Sequence, residues 1–277
     1  MSAACNNVCV PCTMHLKFAS INSGSNGNCY YIGNDEHAVL IDAGISRRET
    51  ERRMQKLNLR LDKVRAIFIS HEHIDHVRGV EGLSKRYGIP VYVTAATKGN
   101  SHIFIPQNLI RDFTADTEIQ IGDLTVIPFT KQHDAADPHS FIIKWNELVV
   151  GVMTDIGAAC DRVKHYVAQC HALLLESNYD QEMLMNGRYP YPLKQRVSSD
   201  VGHLSNDQAL SLVMESGSDE LKLLLLGHLS KDNNREQLVR EVFSSLEGKM
   251  HVDIASRFNE SRVYAIDRKA ESISIRV

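Results

Sequence analysis

The sequence predicts an α/β chain of the α+β kind, built as a four-layer αββα sandwich in which two mixed β-sheets pack face to face between helices. Three observations predict it. A meander of short apolar strands occupies the first part of the chain, a β–α–β run follows, and hairpins in the middle lead into a second β–α–β run. The two halves resemble each other in element order only.

Residues 1–13 show no apolar periodicity and read as a flexible tail, whereas residues 14–277 contain no Pro/Ser-rich or single-sign linker and read as one domain. Within the tail, Cys5, Cys9 and Cys12 have the C-x3-C-x2-C spacing of some iron–sulfur sites, but no fourth ligand or cofactor pocket is near them in sequence. The segments HLKFASI, NCYYIG and HAVLIDAG are strands separated by the turn formers SGSNGN and NDE. Ser46 followed by Glu49 is a capping-box signature for a helix to about Leu57, with Met54 and Leu57 on its apolar face. VRAIFIS is a strand ending at Ser70, followed by a helix from about Asp75 to Tyr87 that Gly88 stops, and then by the strand PVYVT. EIQI-GD-LTVIPFT and SFIIKW-NE-LVVGVMT are hairpins around two-residue turns. ALLLES, LKLLLL and HVDIA are further strands, with helices near residues 180–187, 205–216 and 233–246.

Composition sets the outer limits. Of 277 residues, 43% are hydrophobic and 23% charged, which supplies a sizeable core and excludes disorder as the main state. The 34 acidic and 31 basic residues leave a net charge of −3, so any attraction to a polyanion must be local. The longest apolar runs, Leu223 to Leu226 and Leu148 to Met153, are far below the roughly 18 residues of a membrane span. The start MSAACNNVCVPC lacks the charged and apolar regions of a secretory signal, and six cysteines are too few for a disulfide scaffold, so a cytoplasmic, reduced protein is expected.

The chemistry concentrates in His71-Glu72-His73-Ile74-Asp75-His76, directly after a strand and at a helix start. Clustered imidazoles repel when protonated and pay desolvation when buried; a divalent metal removes both costs. The stretch is not a HExxH zinc helix, because Asp75 stands where the second His would be. An extended loop would point His71 and His73 the same way, while Asp75 and His76 can diverge to a second point, so the spacing suggests two metals. Isolated candidates follow later strands: His133 after VIPFT, Asp155 after VVGVMT, and His228 after LKLLLLG.

H-x-H-x-D-H followed by an isolated His, an isolated Asp and a late His resembles the metallo-β-lactamase fold of hydrolases over residues from about 15 to the C-terminus. The resemblance implies His71, His73 and His133 on one divalent ion, Asp75, His76 and His228 on the other, and Asp155 bridging both. It also implies the αββα sandwich. A bridging Asp is the mark of the nuclease, phosphodiesterase and glyoxalase II branch rather than of the antibiotic-hydrolysing enzymes. Zinc and manganese are both compatible with these ligands, and iron is possible. Two divalent ions offset by two carboxylates leave a positive site suited to an anionic phosphodiester. FASINSGSNGNCYYI, HDAADP, LESNYD, GHLSN and LGHLSKDNN are together similar to the YycJ-like (WalJ) subgroup, described as 5'-to-3' double-stranded DNA exonucleases. The expected substrate is therefore duplex DNA, with no membrane partner. The alternative is a small-molecule esterase or phosphodiesterase of the same fold, glyoxalase II-like or acting on cyclic nucleotides.

By the same resemblance, Asp75 would orient the attacking water, His203 of GHLSN would protonate the leaving alkoxide, and Glu176 of LESN would orient His203. Ser23, Asn26 and Asn28 of the SGSNGN turn are candidates to hold phosphate, as are Ser205 and Asn206 of GHLSN. Lys231, Asn233 and Arg235 follow His228 near a helix start and are candidate clamps. Arg47, Arg48, Arg52 and Arg53 interleave with Glu49 and Glu51 and read as a solvated helix face. His15, His37, His102, His139, His165, His171 and His251 lack the motif context and read as structural or surface, and His139, beside His133 in HDAADPHS, is the one to check.

Overall fold

A computed structural model describes residues 15–269 and 272–276, so the tail and its Cys5, Cys9 and Cys12 lie outside the described residues. Three antiparallel strands come first: β1 (Leu16–Asn22), β2 (Cys29–Gly33) and β3 (Ala38–Ile41). Helix α1 (Arg47–Lys56) starts where Ser46 Oγ accepts the Glu49 amide. It leads to β4 (Val64–Phe68), α2 (Ile74–Val77), α3 (Val80–Tyr87), β5 (Val91–Tyr92), α4 (Ala95–Asn100) and β6 (Ile110–Arg111). The second half opens on antiparallel β7 (Ile119–Ile121), β8 (Leu124–Thr130), β9 (His139–Trp145) and β10 (Leu148–Met153). After it come α5 (Asp161–Val167), β11 (Ala172–Glu176), α6 (Gln181–Asn186), α7 (Tyr191–Val197), α8 (Asn206–Ser216), β12 (Leu223–Gly227), α9 (Glu236–Phe243) and β13 (His251–Ile254). A closing hairpin, β14 (Tyr264–Lys269) and β15 (Ser272–Arg276), returns to the first sheet beside β1.

The sheets run β15-β14-β1-β2-β3-β4-β5-β6 and β13-β12-β11-β10-β9-β8-β7. Each is antiparallel over one part and parallel over the other, with β3 to β6 parallel in the first and β10 to β13 parallel in the second. This is the mixed-sheet αββα sandwich that the element order predicts.

Period-two alternation divides the strands between three cores. Phe18, Ile32, Val39 and Phe68 meet Phe141, Val150, Leu174 and Leu225 between the sheets. The intervening Ala19, Tyr31, Leu40 and Ile67 face α1 and α3. Leu173, Leu175, Leu224 and Leu226 face α5, α8 and α9. Burial on both faces is why LKLLLL and ALLLE read as unbroken apolar runs. Phe68 joins the layers, stacked on Tyr92 at 4.5 Å and edge-on to Phe141 at 5.6 Å. No helix of the described residues is long and apolar enough to cross a membrane.

Two expectations need correction, and several elements are additions. The helix expected from Asp75 to Tyr87 is broken into α2 and α3 at Gly79, where a Cβ would lie 2.0 Å from the Ile45 carbonyl oxygen. The helix expected from residue 233 begins only at Glu236, because Asn233 and Asn234 are buried in a turn that packs on Ser177 and Asp180. Helices α4, α5 and α7 and the β14–β15 hairpin had no counterpart in the sequence reading. The helices are seven residues or fewer, too short for a clear apolar stripe. The hairpin joins its sheet through β1, some 250 residues away in sequence.

Candidate active site

The chemistry-bearing residues gather at the C-terminal ends of the parallel strands, where loops from both sheets meet. Asp42 follows β3, Ser70 and the His71–His76 stretch follow β4, Asp155 follows β10, and His228 follows β12. Asp42, Asp155 and His228 all have left-handed backbones, with φ of 59°, 54° and 55°. A non-glycine residue held there costs about 1–3 kcal/mol, so the surrounding contacts must hold these three turns in place.

Two triads emerge. One ligand atom from each of His71, His73 and His133 falls within a 4.8 Å cluster, and so does one from each of Asp75, His76 and His228. Asp155 stands between them, with Oδ2 3.3 Å from His76 Nε2 and Oδ1 3.7 Å from His133 Nε2. The far nitrogen of each anchored ring is already committed. His76 Nδ1 donates to Asp42 Oδ2 at 2.7 Å, His133 Nδ1 to the Gly202 carbonyl at 3.0 Å, and His228 Nδ1 to Glu176 Oε2 at 2.9 Å. His71 Nδ1 donates to Ser70 Oγ at 2.9 Å, and that hydroxyl donates in turn to Asp42 at 2.7 Å. Such outer partners fix the tautomer and aim the remaining nitrogen inward.

The donor set fits divalent metal. His133 Nε2, His228 Nε2 and Asp155 Oδ2 are buried without any hydrogen-bond partner, a state that costs free energy unless a cation completes it. Full burial holds His71 well below the usual imidazole range, and burial takes His133 down to about 4, so both offer neutral nitrogens to a metal. Burial opposes ionisation of Asp155, but the facing His228, His76 and His71 rings and Lys131 outweigh it and hold its carboxyl well below the usual range. Lys131, itself buried, donates to the Thr154 carbonyl at 2.5 Å and braces the peptide before Asp155.

Beside the triads, Glu176 Oε2 accepts from His203 Nδ1 at 2.9 Å, and Glu176 also accepts the backbone amides of Asp155, Ile156 and Leu204. Burial pushes this carboxyl up, but His203 and His228 hold it down at about 2. His203 opens onto a cleft of about 300 Å³ that His73, Asp75, His133, Asp155 and His228 also line. The sequence-derived metal candidates and the His203–Glu176 pair are thus brought together.

The substrate candidates fare differently. Ser23 is buried, donates to Tyr30 Oη at 2.8 Å and accepts the His228 amide at 2.8 Å, which fixes the turn carrying that ring. Asn26 Nδ2 donates to the Arg257 carbonyl at 2.7 Å. Asn28 accepts from Gly24 N and Tyr30 Oη and points Nδ2 at Asp75 and His76. Ser205 caps α8, and Asn206 bonds to Ser177 and Asn234. These five side chains therefore support the site internally; Ser25, not singled out, is the turn residue that lines the cleft. Asn233 also lines it, while Lys231 and Arg235 lie in an adjoining groove. Arg53 is buried and donates to the Ile21 carbonyl, Asn22 and the Phe258 carbonyl, so it is an anchor and not part of a solvated face. His139 is buried against Phe113 and belongs to neither triad.

Asp42, Gly44, Lys131 and Asn178 were missed. Asp42 had a usable signal, an isolated Asp at a strand end like Asp155. Gly44 lets the chain pass against Asp75, where a Cβ would lie 1.6 Å from the Asp75 carbonyl oxygen.

Comparison with known proteins identifies the family. A β-lactamase superfamily domain model matches residues 37–228. The exodeoxyribonuclease YycJ of Bacillus anthracis is 38% identical over 82% of this chain and 87% of its own length. The exodeoxyribonuclease WalJ of Streptococcus pneumoniae is 32% identical over 80% of this chain and 85% of its own. The crystal structure of the metallo-β-lactamase fold protein YhfI from Bacillus subtilis superposes with a TM-score of 0.68 at 16% identity, over 89% of this chain and 99% of that one. With the two-triad cleft on the sandwich edge, these matches establish that the chain belongs to the metallo-β-lactamase superfamily, in the group of the YycJ and WalJ relatives.

Proposed function

We propose that the protein is a metal-dependent phosphodiesterase that degrades DNA from an end, a 5'-to-3' exodeoxyribonuclease on duplex substrate, with residues 14–277 acting as one catalytic domain. The observation that carries the reading is the His203–Glu176 pair beside the His/Asp triads, in a chain 38% identical to an exodeoxyribonuclease. His71, His73 and His133 would hold one divalent ion, Asp75, His76 and His228 a second, and Asp155 both; zinc and manganese suit these ligands. When bound, such ions polarise the phosphoryl group and lower the pKa of water.

The chain's own residues supply the remaining parts. Asp75, whose Oδ2 is steadied by Asn28 Nδ2 at 3.2 Å, offers an oxygen in the cleft to orient the attacking water. Glu176 accepts a hydrogen bond from His203 Nδ1, which orients the ring and leaves Nε2 to carry a proton toward the departing 3'-alkoxide. Arg196 at the cleft wall forms an ion pair with Asp134 and ties α7 to the loop that carries His133.

The test is digestion of end-labelled duplex DNA, single-stranded DNA and RNA by metal-loaded protein, with Asp75→Ala as control and bis(p-nitrophenyl) phosphate alongside. Progressive loss from the 5' end of the duplex, absent in the variant, is the expected result. Turnover of the small diester with no polymer cleaved would move the reading to a small-molecule phosphodiesterase.

A further inference from the structure

A second depression of about 700 Å³ adjoins the cleft, and Tyr189, whose hydroxyl donates to Asp232 at 3.4 Å, lines both. Its floor and rim carry Arg188, Lys231 and Arg235, all exposed, against a single carboxylate, Asp232. Among the described residues none of these three cations forms an ion pair. At the junction, Asn233 is 1% exposed, lines the cleft, and has an Oδ1 with no donor. Gly187 keeps that junction tight, since a Cβ there would lie 2.9 Å from Asn233 Oδ1 and 2.5 Å from the Met183 carbonyl oxygen.

We propose that this groove is the track for an unpaired polynucleotide strand leading into the cleft, with Arg188, Lys231 and Arg235 on its phosphates and Tyr189 as the platform for one base. The inference rests on the nuclease reading above and adds a substrate form to it. Unpaired cations along a groove neutralise a backbone of repeating charge, whereas a single phosphate would need one compact cluster. The π-face of a side chain serves an unpaired base and is of no use to a base within a duplex stack. The orphan Asn233 Oδ1 is an acceptor at the junction, which a base amino group can meet and a phosphate oxygen cannot. A duplex end would therefore have to fray before its strand reached the metal ligands.

The decisive measurement is anisotropy of a fluorescein-labelled single-stranded oligonucleotide bound to metal-free protein in chelator, over a salt series. Removing all three cations, as Arg188→Ala, Lys231→Ala and Arg235→Ala together, should flatten the slope of log K against log salt by about 2, at roughly 0.7 per phosphate contact on a single strand. Tyr189→Ala should weaken binding by between about fivefold and about a hundredfold, and Tyr189→Phe should restore it. A slope that the triple variant leaves unchanged, or equal loss in Tyr189→Ala and Tyr189→Phe, overturns the track. Thermal melts of each variant separate misfolding from lost contacts. Oligonucleotide bound with the expected slope but left intact by metal-loaded protein would sink the nuclease reading and keep the track. Cleavage with an unchanged slope would do the reverse.

Discussion

Glu176 and His203 are joined by a 2.9 Å hydrogen bond from Nδ1 to Oε2, and the same oxygen receives His228 Nδ1 at 2.9 Å. One carboxylate therefore positions both a metal-ligand candidate and the proton-donor candidate. Its remaining bonds come from the amides of Asp155, Ile156 and Leu204, so all five partners are donors. Glu176→Gln must turn an NH₂ group against at least two of them. The expected cost is about 3–5 kcal/mol of stability, the usual result of breaking a buried charged network, and it would be read from denaturant melts of the metal-free protein.

His203→Ala tests the proton role. A poor alkoxide leaving group needs the proton, so cleavage of DNA should slow by about 10²–10⁴-fold, while bis(p-nitrophenyl) phosphate, whose leaving group departs as an anion, should lose much less. Equal losses on both would make His203 a phosphate-binding residue.

Gly44→Ala tests the support beneath Asp75. With only 1.6 Å between the added Cβ position and the Asp75 carbonyl oxygen, the α2 turn must move. Overpacking of this kind costs about 1–3 kcal/mol. The melting temperature should fall and metal bound per chain should drop together; a lower melting temperature with full metal content would show that the displacement is absorbed elsewhere.

The candidate metal cluster was legible because metal ligation calls for residue types that packing rarely gathers, and because the candidates follow strands that the apolar pattern reveals. Asp42 was passed over for want of a His-rich neighbour, although its position after β3 mirrors that of Asp155 after β10. Small polar residues in a glycine turn signal phosphate contact and internal bracing alike, and the bracing shows only in the fold, in the Ser23 bond to His228 N and the Asn28 bonds to Asp75 and His76. Tyr189 and Arg188 carried no signal at all. They reach the groove through α6 and α7, whose packing depends on contacts distant in sequence, such as Asp180 N to the Asn233 carbonyl.

Glu49 makes a pH prediction away from the metals. Its hydrogen bond to Arg52, opposed by slight desolvation and reinforced by Arg53, lowers its carboxyl from 4.5 to about 2. A depressed folded-state pKa means that the contribution is complete above about 4.5 and is lost as pH falls toward about 2. Glu49→Gln should flatten the acid limb of the stability curve of metal-free protein in that window and nowhere else. Because Glu49 is partly exposed, the effect should be small and should shrink further in high salt.

Asp155 is placed to be shared between two metal ions. Its two oxygens lie 3.3 Å from His76 Nε2 and 3.7 Å from His133 Nε2, one in each triad, and its left-handed φ of 54° is tolerated by Asn better than by most other residues. Asp155→Asn therefore removes the charge with little added backbone strain. If Asp155 serves both ions, metal content measured by mass spectrometry should fall from two per chain to at most one, and affinity for the survivor should weaken. His133→Ala takes a donor from one triad only, so it should leave the Asp75–His76–His228 ion in place. Loss of a single ion in both variants, with unchanged affinity for the other, would assign Asp155 to one metal and leave the second triad without a shared carboxylate.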